Sequence, residues 1–216
     1  MTRSSEASHG VPKPGPRDGS SETREGPGSS VLRSAVTLLI LMTIVLGVAY
    51  PLVVTGVAEV LFPSQAAGSI IVKDGKAVGS RLIGQPFSNP GYFWSRPSAT
   101  SPQPDNGLSS GGSALGPLNP ALIDAVEARI AALRAADPDN HAPIPVDLVT
   151  ASASGLDPDI SLAAAYYQAD RIARARRLSR HQVRALIAAH ARRPWLGVIG
   201  EPRVDVLELN LALDNQ

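Results

Sequence analysis

The residues best suited to chemistry are the serines of a long Gly- and Pro-rich loop at 98–113. A serine becomes a nucleophile when a base and an oxyanion-binding group accompany it, and no such constellation is evident near these serines. The sequence also lacks a Ser-x-x-Lys pair, a phosphate loop ending in Gly-Lys-Ser/Thr and a His-Glu-x-x-His. A membrane-anchored extracytoplasmic hydrolase that uses one of these serines is therefore an alternative, not the main hypothesis.

Metal and acid–base chemistry receive no better support from the sequence. The four histidines are scattered without ligand spacing and are interpreted as surface or capping residues. They are His9, His141, His181 and His190. Carboxylates are not paired on any predicted helix face. We therefore predict no catalytic residue, no metal site and no tightly bound cofactor in this chain.

An uncharged apolar segment determines how the rest of the chain is placed. Residues 34–58 carry no charge, between Arg33 and Glu59. As a helix they would extend about 37 Å, enough to cross a hydrocarbon core of about 30 Å with some tilt and a kink at Pro51. A cleavable signal peptide is the alternative, but the apolar segment and the tail before it are too long. We predict a single transmembrane helix over 34–58.

The distribution of Lys and Arg predicts the orientation of this helix. Five basic residues precede it, and the next one in the chain is Lys73. Because basic residues are retained on the cytoplasmic side, residues 1–33 are predicted to be cytoplasmic and residues 62–216 extracytoplasmic, in the plasma membrane of a bacterium. The tail is rich in Ser, Gly, Pro and charge, so it is expected to be disordered.

The composition of the outer part limits its partners. About 150 residues remain outside, enough for one domain. Residues 59–216 hold equal numbers of acidic and basic residues and no cysteine. Nucleic acid is thus excluded as a partner, and the domain must be stabilised by its core or by partner proteins, not by disulfides.

Local patterns predict an α+β domain after the span, starting with a hairpin. Asp74-Gly75 supplies the positive φ angles of a tight turn between apolar runs at 69–72 and 77–83. A cluster of aromatic residues at 87–94 is interpreted as a core plug rather than a ligand site. Residues 98–118 have no periodicity and are expected to form a long loop that is functional or flexible.

Three helices and a final strand are predicted next. Asn119-Pro120 caps a helix ending near Ala136, and Asp157-Pro158 is expected to cap a second. A capping box from Ser179 to Gln182 starts a third, which should stop before Pro194. An arginine-rich run at 171–184 is interpreted as a solvated face. Residues 203–211 are predicted to be a strand, with a bulge or two buried faces because the apolar phase changes at 206–207.

Four stretches in fixed order carry a family resemblance over more than three quarters of the chain. They are GQPF at 84–87 with YFWSRPSA at 92–99, SGGSALGP at 110–117, PVDLVTASASGLDPDIS at 145–161 and GEPRVDVLELN at 200–210. Together they resemble the C subunit of the Kdp-type potassium-transporting P-type ATPase. The sequence departs from the family pattern at Ala114, Ala153, Asp159 and Asp205, where Asn, Gly, His and Asn are expected.

The resemblance implies a non-catalytic, single-span accessory subunit for potassium uptake. Its expected partners are the lipid bilayer, a channel-like potassium-binding subunit and a P-type ATPase subunit, so that the complex handles ATP and potassium. The family is described as a catalytic chaperone that raises the ATP affinity of the ATPase subunit, with a nucleotide contact that would fall on Gln168. The predicted topology places Gln168 outside the cell, which favours a role in assembly or potassium entry.

We also predict where the outer domain meets its partners. Because a neutral domain without cysteines gains stability or purpose from partners, the stretches 92–96 and 152–160 are expected to form or support a docking face. The candidate docking residues are Tyr92, Phe93, Arg96, Ser154, Gly155, Asp157 and Pro158. A purely structural anchor of another membrane complex is the remaining alternative.

Overall fold

The structure is a computed structural model that describes residues 27–194, 197 and 199–216. It contains two compact units, one up to residue 55 and one comprising residues 56–216. Of the predicted tail, 1–33, residues 1–26 lie outside the described residues.

The N-terminal part is helical from Pro27 to Leu61. Helix α1 spans Pro27–Ile44, a π-helical turn spans Val45–Ala49, and α2 spans Tyr50–Leu61. The wide turn directly precedes Pro51, whose ring lacks an N–H and would clash with the carbonyl one turn earlier in a regular helix. By length and composition, Ser30–Leu61 can cross a membrane and includes the predicted span. Residues 27–33, assigned to the disordered tail, are helical.

A β-hairpin follows, as the Asp-Gly dipeptide predicted. After a short helix α3, Pro63–Ala66, strands β1, Ile70–Lys73, and β2, Lys76–Ser80, pair antiparallel. Asp74 and Gly75 have φ angles of 51° and 75°, the left-handed values that a two-residue turn needs.

Two of the three predicted helices match their sequence signals. Helix α4 spans Pro120–Ala136, and the Asn119 side chain accepts a hydrogen bond from the Ala121 N–H. Helix α6 spans Arg180–His190 behind a complete Ser179–Gln182 capping box. A 3-10 turn, Val146–Leu148, lies between them in sequence.

The predicted cap of the second helix was wrong. Residues after Asp157-Pro158 form strand β3, Asp159–Ser161, and helix α5, Leu162–Arg176, is capped by Ser161, which accepts from the Ala164 N–H. The reason is tertiary pairing, since Ile160 lies opposite Val204 in an antiparallel ladder. A local cap signal carries no information about that distant partner.

The predicted C-terminal strand was also wrong beyond its first three residues. Strand β4 spans Arg203–Asp205, and helix α7 spans Val206–Leu213. The Asp205 carboxylate accepts from the Glu208 N–H at 2.9 Å and caps α7. The change of apolar phase at 206–207 is thus the start of a helix, not a bulge.

The second unit is an α+β domain, as predicted. It contains two separate two-stranded sheets, β1–β2 and β3–β4. The core lies among α5, α6, α7 and the β3–β4 pair, and α4 contributes one buried side chain, Leu133. The largest fully buried apolar side chains are Phe93, Leu148, Ile160, Ile172, Ile187, Leu209 and Leu213.

Candidate functional site

An extended segment at 92–96 passes through the core without belonging to a sheet. Two side-chain amides hydrogen-bond its backbone as a neighbouring strand would. Asn210 accepts from the Phe93 N–H at 2.8 Å and donates to the Phe93 carbonyl at 3.0 Å. Gln168 accepts from the Trp94 N–H at 2.8 Å and donates to the Trp94 carbonyl at 3.1 Å. Buried backbone groups need such partners, so α5 and α7 together fix this segment.

Gln168 uses its whole hydrogen-bonding capacity inside the core. Its oxygen also accepts from Arg171 at 2.8 Å, its nitrogen also donates to the Ala164 carbonyl at 3.3 Å, and only 1% of the residue is exposed. The predicted nucleotide contact of Gln168 stays a prediction. In this conformation it would require the side chain to release Trp94.

Two arginines enclose the Trp94 ring. The guanidinium of Arg171 lies 4.8 Å from the ring centroid and that of Arg129 lies 5.3 Å from it. Arg171 also donates to the carbonyls of Pro90 and Tyr92, while Arg129 donates to the Ser95 carbonyl at 2.8 Å. Burial lowers the pKa of Arg171 to about 10, so the guanidinium keeps its charge at neutral pH.

The arginine-rich run is therefore not a purely solvated face, contrary to the prediction. Arg171 is buried, and Arg176 pairs with Asp214 at 2.9 Å while its guanidinium lies 4.4 Å from the Tyr92 ring centroid. Arg184 lies over the Tyr166 ring. Arg171 and Arg176 thus attach the aromatic stretch and Asp214 to α5, and Arg184 attaches α6 to α5.

The structure separates the predicted docking residues into buried and surface groups. Phe93 is fully buried and Gly155 is buried, so neither offers a side chain to a partner in this conformation. Ser154 is exposed. Half-buried positions are held by Tyr92, Arg96, Asp157 and Pro158. This geometry does not test the predicted docking role. Most of these residues are buried or half-buried, so they can support a docking surface from inside the domain.

Arg96 and Asp157 connect the two predicted stretches directly. Arg96 Nη1 lies 3.0 Å from the Asp157 carboxylate, and both side chains are mostly buried. The other Asp157 oxygen accepts from the Asp159 N–H at 3.1 Å, which closes the turn before β3. The pair thus tethers the turn at 152–158 to the core segment.

We expect Arg96→Ala to lower the free energy of unfolding by about 1 kcal/mol, since it leaves a partly buried carboxylate unpaired. The control is Arg180→Ala, because Arg180 pairs with Asp170 at 3.2 Å and the two side chains are more exposed, at 72% and 42%. That control should change stability by no more than about 0.5 kcal/mol. Urea unfolding followed by tryptophan fluorescence measures both; equal effects would contradict the tethering role.

The turn at 152–156 also holds the long loop at 98–112. Gly111 N–H donates to the Ser154 carbonyl at 2.8 Å, and the Ser98 hydroxyl donates to the Gly155 carbonyl at 2.6 Å. Gly155 has a φ of 66°, and a Cβ there would lie 2.5 Å from the Gly111 carbonyl oxygen. The close backbone approach and the positive φ explain the glycine at 155, and a Cβ at Gly112 would likewise lie 2.9 Å from the Ala153 carbonyl oxygen.

Two carboxylates at positions predicted to depart from the family pattern lie opposite each other in β3 and β4. Asp159 and Asp205 are direct cross-strand partners, an arrangement in which like charges repel. Arg203 lies 2.7 Å from Asp159, and Arg192 lies 3.8 Å from Asp159 and 3.7 Å from Asp205. Burial raises the pKa of Asp205 to about 6, because the Glu208 N–H and the Arg192 guanidinium only partly offset the lost hydration, and the carboxylates of Glu208 and Asp159 add to the rise.

This pKa leads to a pH-dependent prediction for Asp205→Asn. The folded pKa lies above the unfolded one, so the aspartate favours folding at low pH and loses that contribution as the pH rises from about 4 to about 6. Asn keeps the cap of α7 and has no charge to desolvate. The variant should match the native chain near pH 4 and exceed its stability by about 2 kcal/mol at pH 7.5. If the difference in urea midpoint between Asp205→Asn and the native chain does not change with pH, the raised pKa of Asp205 is refuted.

The geometry offers no catalytic constellation among the described residues. Residues 107–111 have the Gly-x-Ser-x-Gly spacing, but Ser109 lies in an irregular loop, not between a strand and a helix. None of the hydrogen bonds found in the described part joins a loop serine to a histidine; His190 bonds the Leu186 carbonyl. The described residues also contain no group of three or more His, Cys, Asp or Glu arranged to hold a metal ion.

Two open cavities of similar size lie on the domain. The first, of about 500 Å³, is charged and is lined in part by Arg96, Asp157, Asp159 and Arg203. The second, of about 480 Å³, is mainly apolar and lies between the 97–115 loop region and α4. In the wall of the first cavity, the Ser161 hydroxyl donates to the Asp147 carboxylate at 3.2 Å and accepts from the Ala164 N–H, so this hydroxyl caps α5.

Sequence reasoning missed the residues that fix the core segment: Asn210, Arg129 and Arg171. The available signal was a polar residue at a core position, since Asn210 follows Leu209 within an apolar stretch. A buried polar residue needs a hydrogen-bonding partner, but the sequence does not reveal which one.

These observations define a class of protein: an α+β domain that follows an apolar helix and whose buried polar side chains hydrogen-bond its own backbone. Comparison with known proteins identifies the family within that class. The family model described as K+-transporting ATPase, c chain, matches residues 32–215, so the chain belongs to this family.

Similar proteins carry the same description. The chain is 65% identical over 185 residues to a protein of Polaromonas naphthalenivorans (strain CJ2), covering 86% of this chain and 94% of that protein. It is 64% identical over 187 residues to a protein of Methylibium petroleiphilum, covering 87% and 98% respectively. Both are named Potassium-transporting ATPase KdpC subunit.

Proposed function

We propose that this chain is an accessory subunit of a bacterial K+-transporting ATPase complex and acts through binding, without a catalytic centre of its own. The match of the family model over residues 32–215 carries the proposal. The structure supports it, because the charged and polar side chains around Trp94 hold the fold and offer no reactive group. ATP hydrolysis and potassium binding then belong to other subunits, a P-type ATPase chain and a channel-like chain.

The proposed place of the chain is the plasma membrane, with the N-terminus inside and the α+β domain outside. The excess of Lys and Arg before the apolar helix supports this orientation. The proposal includes the family-implied effect on the ATP affinity of the ATPase subunit, as an indirect effect without contact between this chain and the nucleotide. Because Gln168 is buried and fully hydrogen-bonded, the chain would act through the ATPase subunit's conformation or assembly.

Purification of the complex tests the subunit role. With a tag on this chain, a P-type ATPase chain and a channel-like chain should co-purify from detergent-solubilised membranes, and deletion of the chain should abolish growth at limiting potassium. Recovery of neither partner, or unimpaired growth of the deletion strain, would overturn the proposal.

Reporter fusions test the orientation independently. Alkaline phosphatase fused after Gln216 should be active, because that enzyme folds only outside the cytoplasm. A fluorescent protein that matures only in the cytoplasm should stay dark at the same position. The reverse pattern would place the domain inside the cell and restore direct nucleotide contact as a hypothesis.

A further inference from the structure

One surface of the domain is almost free of charge. Residues 97–123 contain a single charged residue, Asp105, whose side chain is half-buried. The adjacent outward side of α4 carries Ala125, Ala128 and Ala132, all exposed. We call residues 97–118 and these three alanines the loop face. Interface cores are depleted in charged residues relative to the remaining protein surface.

The loop face exposes large apolar side chains. Leu108 is 99% exposed and Leu118 is 91% exposed, the two highest exposed fractions among the large apolar residues of the described chain. The apolar cavity of about 480 Å³ opens on the same face, with Leu115 from the loop and Leu122 from α4 in its walls. Protruding leucines beside an apolar groove can both insert into a partner and receive its side chains.

The loop is held in a defined conformation by its own hydrogen bonds. Ser98 accepts from the Asp105 N–H at 2.9 Å, and Thr100 accepts from the Asn106 N–H at 3.0 Å while donating to the Gln103 carbonyl at 2.8 Å. The 152–156 turn fixes its far end. A loop ordered before binding loses less entropy on association, which favours docking.

The charge of the loop face identifies the chemistry of its partner. Anionic lipid and nucleic acid require Lys or Arg, and residues 97–123 have neither. The Arg129 guanidinium, whose residue lines the apolar cavity, donates to the carbonyls of Leu148 and Ser95. A protein surface that is itself uncharged and apolar is the partner that matches.

We propose that the loop face docks on an uncharged, apolar surface of another subunit of the ATPase complex. This inference rests on the proposed function, which supplies the complex. Three of the predicted docking residues, Arg96, Asp157 and Gly155, then hold the loop face in position. Leu108 and Leu118 make the contact with the partner.

Photocrosslinking tests the inference in the assembled complex. The full chain carries p-benzoylphenylalanine at position 108 or 118 and is co-expressed with the other subunits. Irradiation should link both positions to another subunit. The control is position 146, where Val146 is 69% exposed in the wall of the charged cavity; we expect no such link there. Crosslinks only to lipid or to a second copy of this chain, or none at all in a complex that co-purifies, would overturn the inference.

Substitutions provide a second readout. The double variant Leu108→Asp, Leu118→Asp should be retained at least tenfold less by the tagged partner subunit, with an unchanged thermal midpoint because both side chains are in solvent. Val146→Asp should be retained like the native chain. Equal retention of the double variant and the control refutes docking through the loop face. Failure of the native chain to co-purify would instead refute the proposed function.

Discussion

Replacing Gln168 with Met is expected to lower the free energy of unfolding by about 3 kcal/mol. Met has nearly the same length and packs well, so little volume is lost. It cannot hydrogen-bond Trp94, whose N–H and carbonyl would then be buried without these partners. Each unsatisfied buried group costs about 1–3 kcal/mol.

Thermal and urea unfolding of the full chain in detergent, followed by tryptophan fluorescence, measure this effect. The control is Gln103→Met in the exposed part of the loop, which should change stability by less than about 0.5 kcal/mol. Gln168→Glu isolates the contribution of the donor nitrogen. The carboxylate keeps an acceptor for the Trp94 N–H but has no N–H to donate to the Trp94 carbonyl. If Gln168→Met is as stable as the control variant, the amide does not hold the core segment.

Gly155→Ala is expected to cost about 3 kcal/mol, combining about 1–2 kcal/mol for a left-handed backbone with the cost of overpacking. The added Cβ would lie 2.5 Å from the Gly111 carbonyl oxygen and 2.7 Å from the Thr100 methyl group. Because one of these neighbours is backbone, the turn and the loop must separate. The loop should then be cut faster by a protease.

Gly116→Ala is the matched control. Gly116 lies in the same loop, and no atom lies within 4 Å of the Cβ position there. Limited proteolysis and urea unfolding compare the two variants. Similar cleavage rates and midpoints would show that the turn does not hold the loop. If the loop face docks as inferred, only Gly155→Ala should also weaken co-purification.

The sequence predicted those elements whose causes are local. Asp74-Gly75 alone sets a hairpin turn, Asn119-Pro120 and Ser179–Gln182 alone start helices, and an uncharged run alone marks a long apolar helix. Each signal involves residues within a few positions of one another, so periodicity and capping rules detect it.

One error occurred where a distant partner decides the structure. Asp157-Pro158 has a helix-starting pattern, but Ile160 pairs with Val204 and becomes a strand. The error at 206–211 has a local cause instead: Asp205 ends β4 and caps α7, and the capping pattern Asp205-x-x-Glu208 is present in the sequence. For the candidate site, the sequence indicated the stretches at 92–96 and 152–160. It did not show that Gln168, Asn210 and Arg171 support them, because those contacts join residues far apart in the chain.

The hydrogen bonds from the side-chain amides of Asn210 and Gln168 to segment 92–96 also limit the order in which the protein can fold. Phe93 is 117 residues from Asn210, and Trp94 is 74 residues from Gln168. Such long-range contacts close late, because the intervening chain must first be brought together. The ribosome must therefore synthesise every residue from 93 to 210 before the Phe93 N–H finds its partner. A prematurely terminated chain that lacks α7 cannot bury this segment, and it would present an incomplete core to quality-control proteases.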